Sequence, residues 1–139
     1  MDQIVQDAIS ILRKQGLRVT EQRKLILQAL ANSQSPWSAE ETHANLPPGS
    51  CDLVTVYRCL DQFDKAGVID LGVRENGTKV YCLGHGLGHH HHLTCRDCGR
   101  TERIDLCMGE ELEETAKSFG FIEISHIMEV FGRCPSCVN

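Results

Sequence analysis

No apolar run in the chain approaches the roughly 20 residues that a bilayer-spanning helix requires. The opening segment "MDQIVQDAIS" lacks the basic-then-apolar layout of a secretory leader. The expectation is a cytoplasmic protein with no membrane partner. A global excess of positive charge is missing too. The formal net charge is -5, so no overall basic field draws nucleic acid to the molecule. There is no internal repeat. Neither a His-Glu-x-x-His helix nor the His-x-Glu and Pro-Cys-x-x-Cys pairing of zinc deaminases occurs, and an enzyme is not expected.

Soft metal ligands, by contrast, are plentiful: the chain carries eight cysteines and seven histidines. Four of the cysteines form two Cys-x-x-Cys pairs, which in a reducing compartment read as thiolate ligands rather than disulfides. Cys95 and Cys98, with Cys134 and Cys137, are expected to close one tetrahedral structural zinc site, each pair turning beside Gly99 or Pro135. Cys51, Cys59 and Cys107 read as small core or loop residues, with Cys107 a weak alternative ligand.

Charge is unevenly spread. Residues 1–83 hold nine Lys/Arg against ten Asp/Glu, and residues 84–139 hold five against nine. The first segment also has its own pattern. Ile4, Val5, Ala8, Ile9 and Leu12 make a helical stripe that stops at Gly16. Thr20 caps a second helix, whose expected buried face is Leu25, Ile26, Ala29 and Leu30. Ser38 with Glu41 forms a capping box for a third. A fourth, with Val56, Leu60 and Phe63 on one face, ends at Gly67. "VIDLGVRENGTKVYCL" then alternates on both sides of an Asn-Gly turn, the signature of a hairpin. Helices followed by a two-stranded wing make a winged helix-turn-helix.

Beyond the Gly-rich "LGHGLG" come two short strands, a helix across "GEELEETAKSFG" and a long strand across "FIEISHIMEVFG". That last strand is expected to show Ile122, Ile124, His126, Met128 and Val130 on one face. The fold class is α+β. A winged-helix DNA-binding domain spans residues 1–83, a hinge loop residues 84–88, and a small zinc-stapled α/β domain residues 89–139.

The run His89–His92 is most economically an extended strand, because adjacent side chains then point to opposite faces. His90 and His92 on one face, with Asp70 and Cys82 from the wing, offer a mixed nitrogen, oxygen and sulfur set that suits zinc. His89 and His91 on the other face can meet His126 and an acidic residue of the following helix. Glu110 and Glu111 are the candidates for that acidic residue. His85 is a substitute ligand, and His43 reads as a surface residue.

The segments "GLRVTEQRKLIL", "SAEE", "TVYRCLDQFDKAGVI", "HHHHLTCRDCG", "HIMEVFGRC" and "CPSC" together give a close match over nearly the whole chain. They resemble the ferric uptake regulator (Fur) superfamily. The resemblance implies a homodimeric, metal-activated transcriptional repressor acting on double-stranded operator DNA, with a C-terminal α/β dimerisation domain. Iron and peroxide regulators of that family recruit a histidine just before the third helix. Here "SQSPWSAE" carries Pro36 and Trp37 instead. The later acidic ligand of those regulators falls near Arg103, beside Glu102. The zinc uptake regulator (Zur) branch, with a cysteine ending the wing and an acidic residue before it, is similar at Cys82 and Asp70. The branch implies two or three Zn²⁺ per subunit, an A·T-rich palindromic operator and control of zinc-uptake genes. A regulator of the same fold sensing iron, nickel, manganese or peroxide is the alternative.

The expected recognition helix runs from Thr55 to Ala66. Tyr57 and Arg58 lie at its start, where a base-reading helix meets the major groove. Arg18 is placed for phosphate or the minor groove, and Arg23, Lys24 and Thr55 for phosphate.

Overall fold

The computed structural model describes residues 3–33, 35–83, 91–104, 108–124, 126 and 129–138. It divides into two compact units, Met1–His89 and His90–Asn139. The expected hinge at 84–88 lies outside the described residues.

The first unit is built by local rules that also fix its boundaries. Helix α1 (Gln3–Lys14) buries Val5, Ala8, Ile9 and Leu12. Helix α2 (Glu21–Asn32) begins where the Thr20 side chain accepts the Arg23 backbone N–H. Its buried residues are Ile26, Leu27 and Leu30, with Leu25 and Ala29 only partly covered. The inward face is therefore shifted from the expected one, with Leu27 fully buried and Leu25 at the edge of the core. Helix α3 (Ala39–Ala44) carries the complete Ser38–Glu41 capping box. Helix α4 (Leu53–Ala66) is capped by Asp52, whose carboxylate accepts the Thr55 N–H at 2.8 Å. It ends at Gly67, whose φ of 81° puts it in the left-handed region that glycine enters without penalty.

Strands β1 (Ile69–Val73) and β2 (Lys79–Leu83) form the antiparallel wing, with Ile69 opposite Leu83 and Asp70 opposite Cys82. Trp37 adds a short bridge to its edge, exchanging two backbone hydrogen bonds with Tyr81 at 2.8 and 3.1 Å. Among the described residues, the fully buried apolar side chains are Phe63, Leu12, Ile26, Leu27, Leu60, Val5 and Val56, all in this unit.

The second unit has a three-stranded sheet in the order β4-β3-β5. Strand β3 (His91–Cys95) runs antiparallel to β4 (Thr101–Ile104) and parallel to β5 (Glu129–Gly132). Helix α5 (Gly109–Ser118) lies between β4 and β5 in the chain, and a single turn, α6 (Pro135–Val138), follows. Among its described residues only Cys95, His91 and His92 are buried. Apolar Met108, Leu112, Phe119, Phe121 and Ile122 remain exposed.

The long final strand is shorter than expected. Among its described residues, Glu129–Gly132 pairs in the sheet and 121–124 and 126 do not. Upstream, Glu123 takes a φ of 56°, a left-handed conformation that interrupts extended backbone. Ile122 is accordingly exposed rather than set on a continuous face. Met128 lies outside the described residues.

Candidate metal centres and nucleic-acid face

The β3–β5 pairing creates the cysteine cluster. Cys95 ends β3 opposite Gly132, and the Arg96 N–H donates to the Gly132 carbonyl at 2.8 Å. This sets the turn after β3, with Cys98, against the turn after β5, with Cys134 and Cys137. Each turn closes on itself: Gly99 N–H to Cys95 O at 3.0 Å, and Cys137 N–H to Cys134 O at 3.0 Å. Arg133 spans them, donating to Asp97 at 2.7 Å and to the Cys137 carbonyl at 2.9 Å.

The four sulfurs lie within 4.8 Å of one another. A tetrahedron with zinc–sulfur bonds of about 2.3 Å has sulfur–sulfur edges of about 3.8 Å. The Cys98–Cys134 separation is 3.7 Å, so the donor set already has the size a zinc ion needs. Backbone N–H groups aim inward, from Cys134 to Cys95 Sγ at 3.3 Å and from Arg100 to Cys98 Sγ at 3.5 Å. The Cys134 and Cys98 N–H groups lower the Cys95 thiol to about 6. Cys134 is lowered mainly by the Cys137 side chain, and Cys137 is raised, mainly by its side-chain hydrogen bond with Cys134. Among the described residues no other group of three or more ligating side chains converges this closely.

His91 and His92 are neighbours on the central strand and face opposite ways. His91 meets His126, with the two Nε2 atoms 3.4 Å apart and the ring centroids 5.3 Å apart. Two nitrogens bound to one tetrahedral zinc at about 2.05 Å are separated by about 3.3 Å. The pair therefore also fits a shared ion. Glu110 and Glu111 sit exposed in the first turn of α5 and do not join that pair within 4.8 Å. His92 instead faces Glu129, with Nδ1 and Oε1 3.4 Å apart and both side chains over nine-tenths buried. On the wing, Asp70 and Cys82 are register partners, so a carboxylate and a thiol stand side by side on one face. His85, His89, His90 and Cys107 lie outside the described residues.

The nucleic-acid candidates fall on α2 and α4. Tyr57 and Arg58 are exposed in the second turn of α4. Asp61, a potential partner for Arg58, pairs with Lys65 at 3.0 Å. The Tyr57 hydroxyl donates to Glu40 at 2.6 Å, which fixes the ring against α3 and holds the Glu40 carboxyl below its usual range. Arg18 is exposed, and its carbonyl accepts from Arg23. Arg23 also donates to Gln62 of α4 at 2.7 Å, so its guanidinium braces the helix pair. Lys24 pairs with Glu21 at 3.5 Å, and Thr55 is the capped third residue of α4.

Four residues in these sites gave no signal in the sequence. Glu129, Glu40 and Gln62 are ordinary polar residues at helical or strand spacing. Arg74, which joins the wing to the capping box through Glu41 at 2.6 Å, is a lone cation before a turn.

The ferric uptake regulator family model matches residues 14–131. The chain belongs to that family. It is 35% identical over 130 residues to the ferric uptake regulation protein of Legionella pneumophila, covering 91% of this chain and 95% of that one. It is 37% identical over 127 residues to the zinc uptake regulation protein of Mycobacterium tuberculosis, covering 88% and 95%. A zinc uptake regulator solved with zinc and DNA superposes with a TM-score of 0.76 at 23% identity, over 99% of this chain and 97% of that one. The fold is thus a winged-helix domain followed by a small α/β domain, as the pattern implied. The chain is a metal-responsive regulator of this family, and its relatives are regulators rather than enzymes.

Proposed function

We propose that the protein is a zinc-responsive repressor that binds operator DNA as a metal-loaded homodimer and controls zinc-uptake genes in the cytoplasm. The observation that carries the choice of metal is the pairing of Asp70 with Cys82 across the wing. A thiolate in the sensing set favours zinc over the harder, oxygen-preferring ions. The backbone bridge of Trp37 to Tyr81 supports the same reading, because it occupies the segment where iron and peroxide regulators of the family use a histidine.

Three sites follow. Cys95, Cys98, Cys134 and Cys137 hold the structural ion. Asp70, Cys82, His90 and His92 take the regulatory ion, with ligands from both halves of the chain. His89, His91 and His126, with Glu110 or Glu111, take a second regulatory ion. Bound zinc would supply positive charge among acidic ligands drawn from both segments. An ion that prefers the DNA-competent arrangement shifts the population toward it. A tenfold gain in operator affinity requires only about 1.4 kcal/mol of coupling.

Arg58 reads guanine, and Tyr57, steadied by Glu40, packs on a thymine methyl at an A·T-rich palindrome. Arg18, Arg23, Lys24 and Thr55 support the phosphate contacts, Arg23 in part by holding α4 in place. The exposed apolar residues of α5 and the segment after it support pairing of two chains through the second unit.

Anomalous scattering at the zinc and iron edges, on crystals of protein purified without added metal, tests the reading. Zinc at two or three positions per subunit is expected. Iron at the Asp70–Cys82 position would overturn it.

A further inference from the structure

His92 lies on the central strand of its sheet, directly in register with Glu129 on the parallel neighbour β5. The side chains therefore leave the sheet on the same face. The His92 Nδ1 and Glu129 Oε1 atoms are 3.4 Å apart, and the two side chains are only 9% and 7% exposed. A carboxylate so enclosed has few roles open to it besides accepting that ring hydrogen.

A neutral imidazole carries one N–H, and only its other nitrogen can bind a metal. An acceptor held against Nδ1 favours the tautomer protonated there. The lone pair then resides on Nε2, on the opposite side of the ring. Pairing also fixes the ring's rotation, which a histidine on a strand does not otherwise control.

We infer that Glu129 is a positioning residue for the regulatory ion: its carboxylate holds His92 in the Nδ1–H tautomer and presents Nε2 to the metal. This rests on the reading of His92 as a ligand. Glu129 itself lies outside the ligand set. Partners of this kind typically contribute 10–100-fold in metal affinity.

The test uses the full-length protein with its four-cysteine zinc retained, titrated with zinc against a chromogenic chelator. The ring nitrogens of His92 are followed by long-range proton–nitrogen correlation spectra of the labelled protein. Glu129→Leu is expected to weaken the regulatory zinc roughly 10–100-fold and to shift His92 away from the Nδ1–H tautomer before metal is added. Glu129→Gln keeps an acceptor oxygen and is expected to recover most of that affinity together with the tautomer. Parent-like affinity and tautomer in the Leu variant would overturn the inference. So would a Gln variant as weak as the Leu variant, since that result makes the carboxylate a ligand. His92→Ala separates the underlying reading. If it keeps the parent's zinc count and affinity, His92 is no ligand, whatever its tautomer in the parent protein.

Discussion

His91 and His126, 35 positions apart in the chain, face each other through their Nε2 atoms at 3.4 Å. Two imidazoles gain little from such an approach unless a proton or a metal ion lies between them. Replacement of His126 by Ala is expected to remove one zinc per subunit while leaving the four-cysteine zinc and the fold intact. Metal analysis by mass spectrometry, paired with circular dichroism, reads both. A full metal complement in the variant would take His126 out of the ligand set.

The cysteine cluster predicts a different failure. Cys95 is buried, receives the Cys134 N–H, and ends the strand that organises its sheet. A structural zinc supplies apparent binding energy of roughly 10–16 kcal/mol, more than a unit with so few buried side chains can lose. Cys95→Ser should therefore unfold the second unit and abolish the dimer. Analytical ultracentrifugation and thermal melts check this. A folded dimer with normal melting would refute the structural role.

Cys82 stands apart from that cluster, on the wing beside Asp70. Cys82→Ser is expected to fold normally and keep the four-cysteine zinc, yet lose the zinc dependence of operator binding. Fluorescence anisotropy on a labelled A·T-rich palindrome, with and without zinc, is the measurement. An unchanged zinc response would remove Cys82 from the sensor.

Arg58 predicts a loss confined to recognition. The side chain is exposed and its potential partner Asp61 is engaged with Lys65. Arg58→Ala should leave zinc uptake unaltered and reduce discrimination against a mutated operator by about 1–3 kcal/mol. Competition between operator and random duplex at fixed salt would show it; preserved preference would assign the reading elsewhere.

Features governed by neighbouring residues were legible from the chain. Ser38 and Glu41 form their capping box, Gly67 closes α4, and the Asn76–Gly77 turn closes the wing because each obeys a rule spanning a few positions. The two Cys-x-x-Cys pairs belong with these, since four thiols in such spacing have few other uses. What escaped depends on register between distant strands. Nothing near Glu129 indicates that β5 will lie parallel to β3 and oppose it to His92. Trp37 gives no local sign that it will bridge to Tyr81. Arg23 reads as a solvated charge until Gln62 is known to lie across from it. The last strand failed for the converse reason. Its alternation continues through Glu123, but one left-handed residue breaks the extended backbone whatever the side-chain pattern.

The burial of apolar side chains is lopsided, with every fully buried apolar side chain among the described residues in the first unit. On the proposed four-cysteine zinc, the folding of the second unit becomes subject to mass action. Above the dissociation constant, each tenfold rise in free zinc adds about 1.4 kcal/mol to the folded form, and each tenfold fall removes as much. Prolonged starvation would therefore expose this half of the chain to proteases before the other, turning a reversible loss of repression into permanent loss of the repressor.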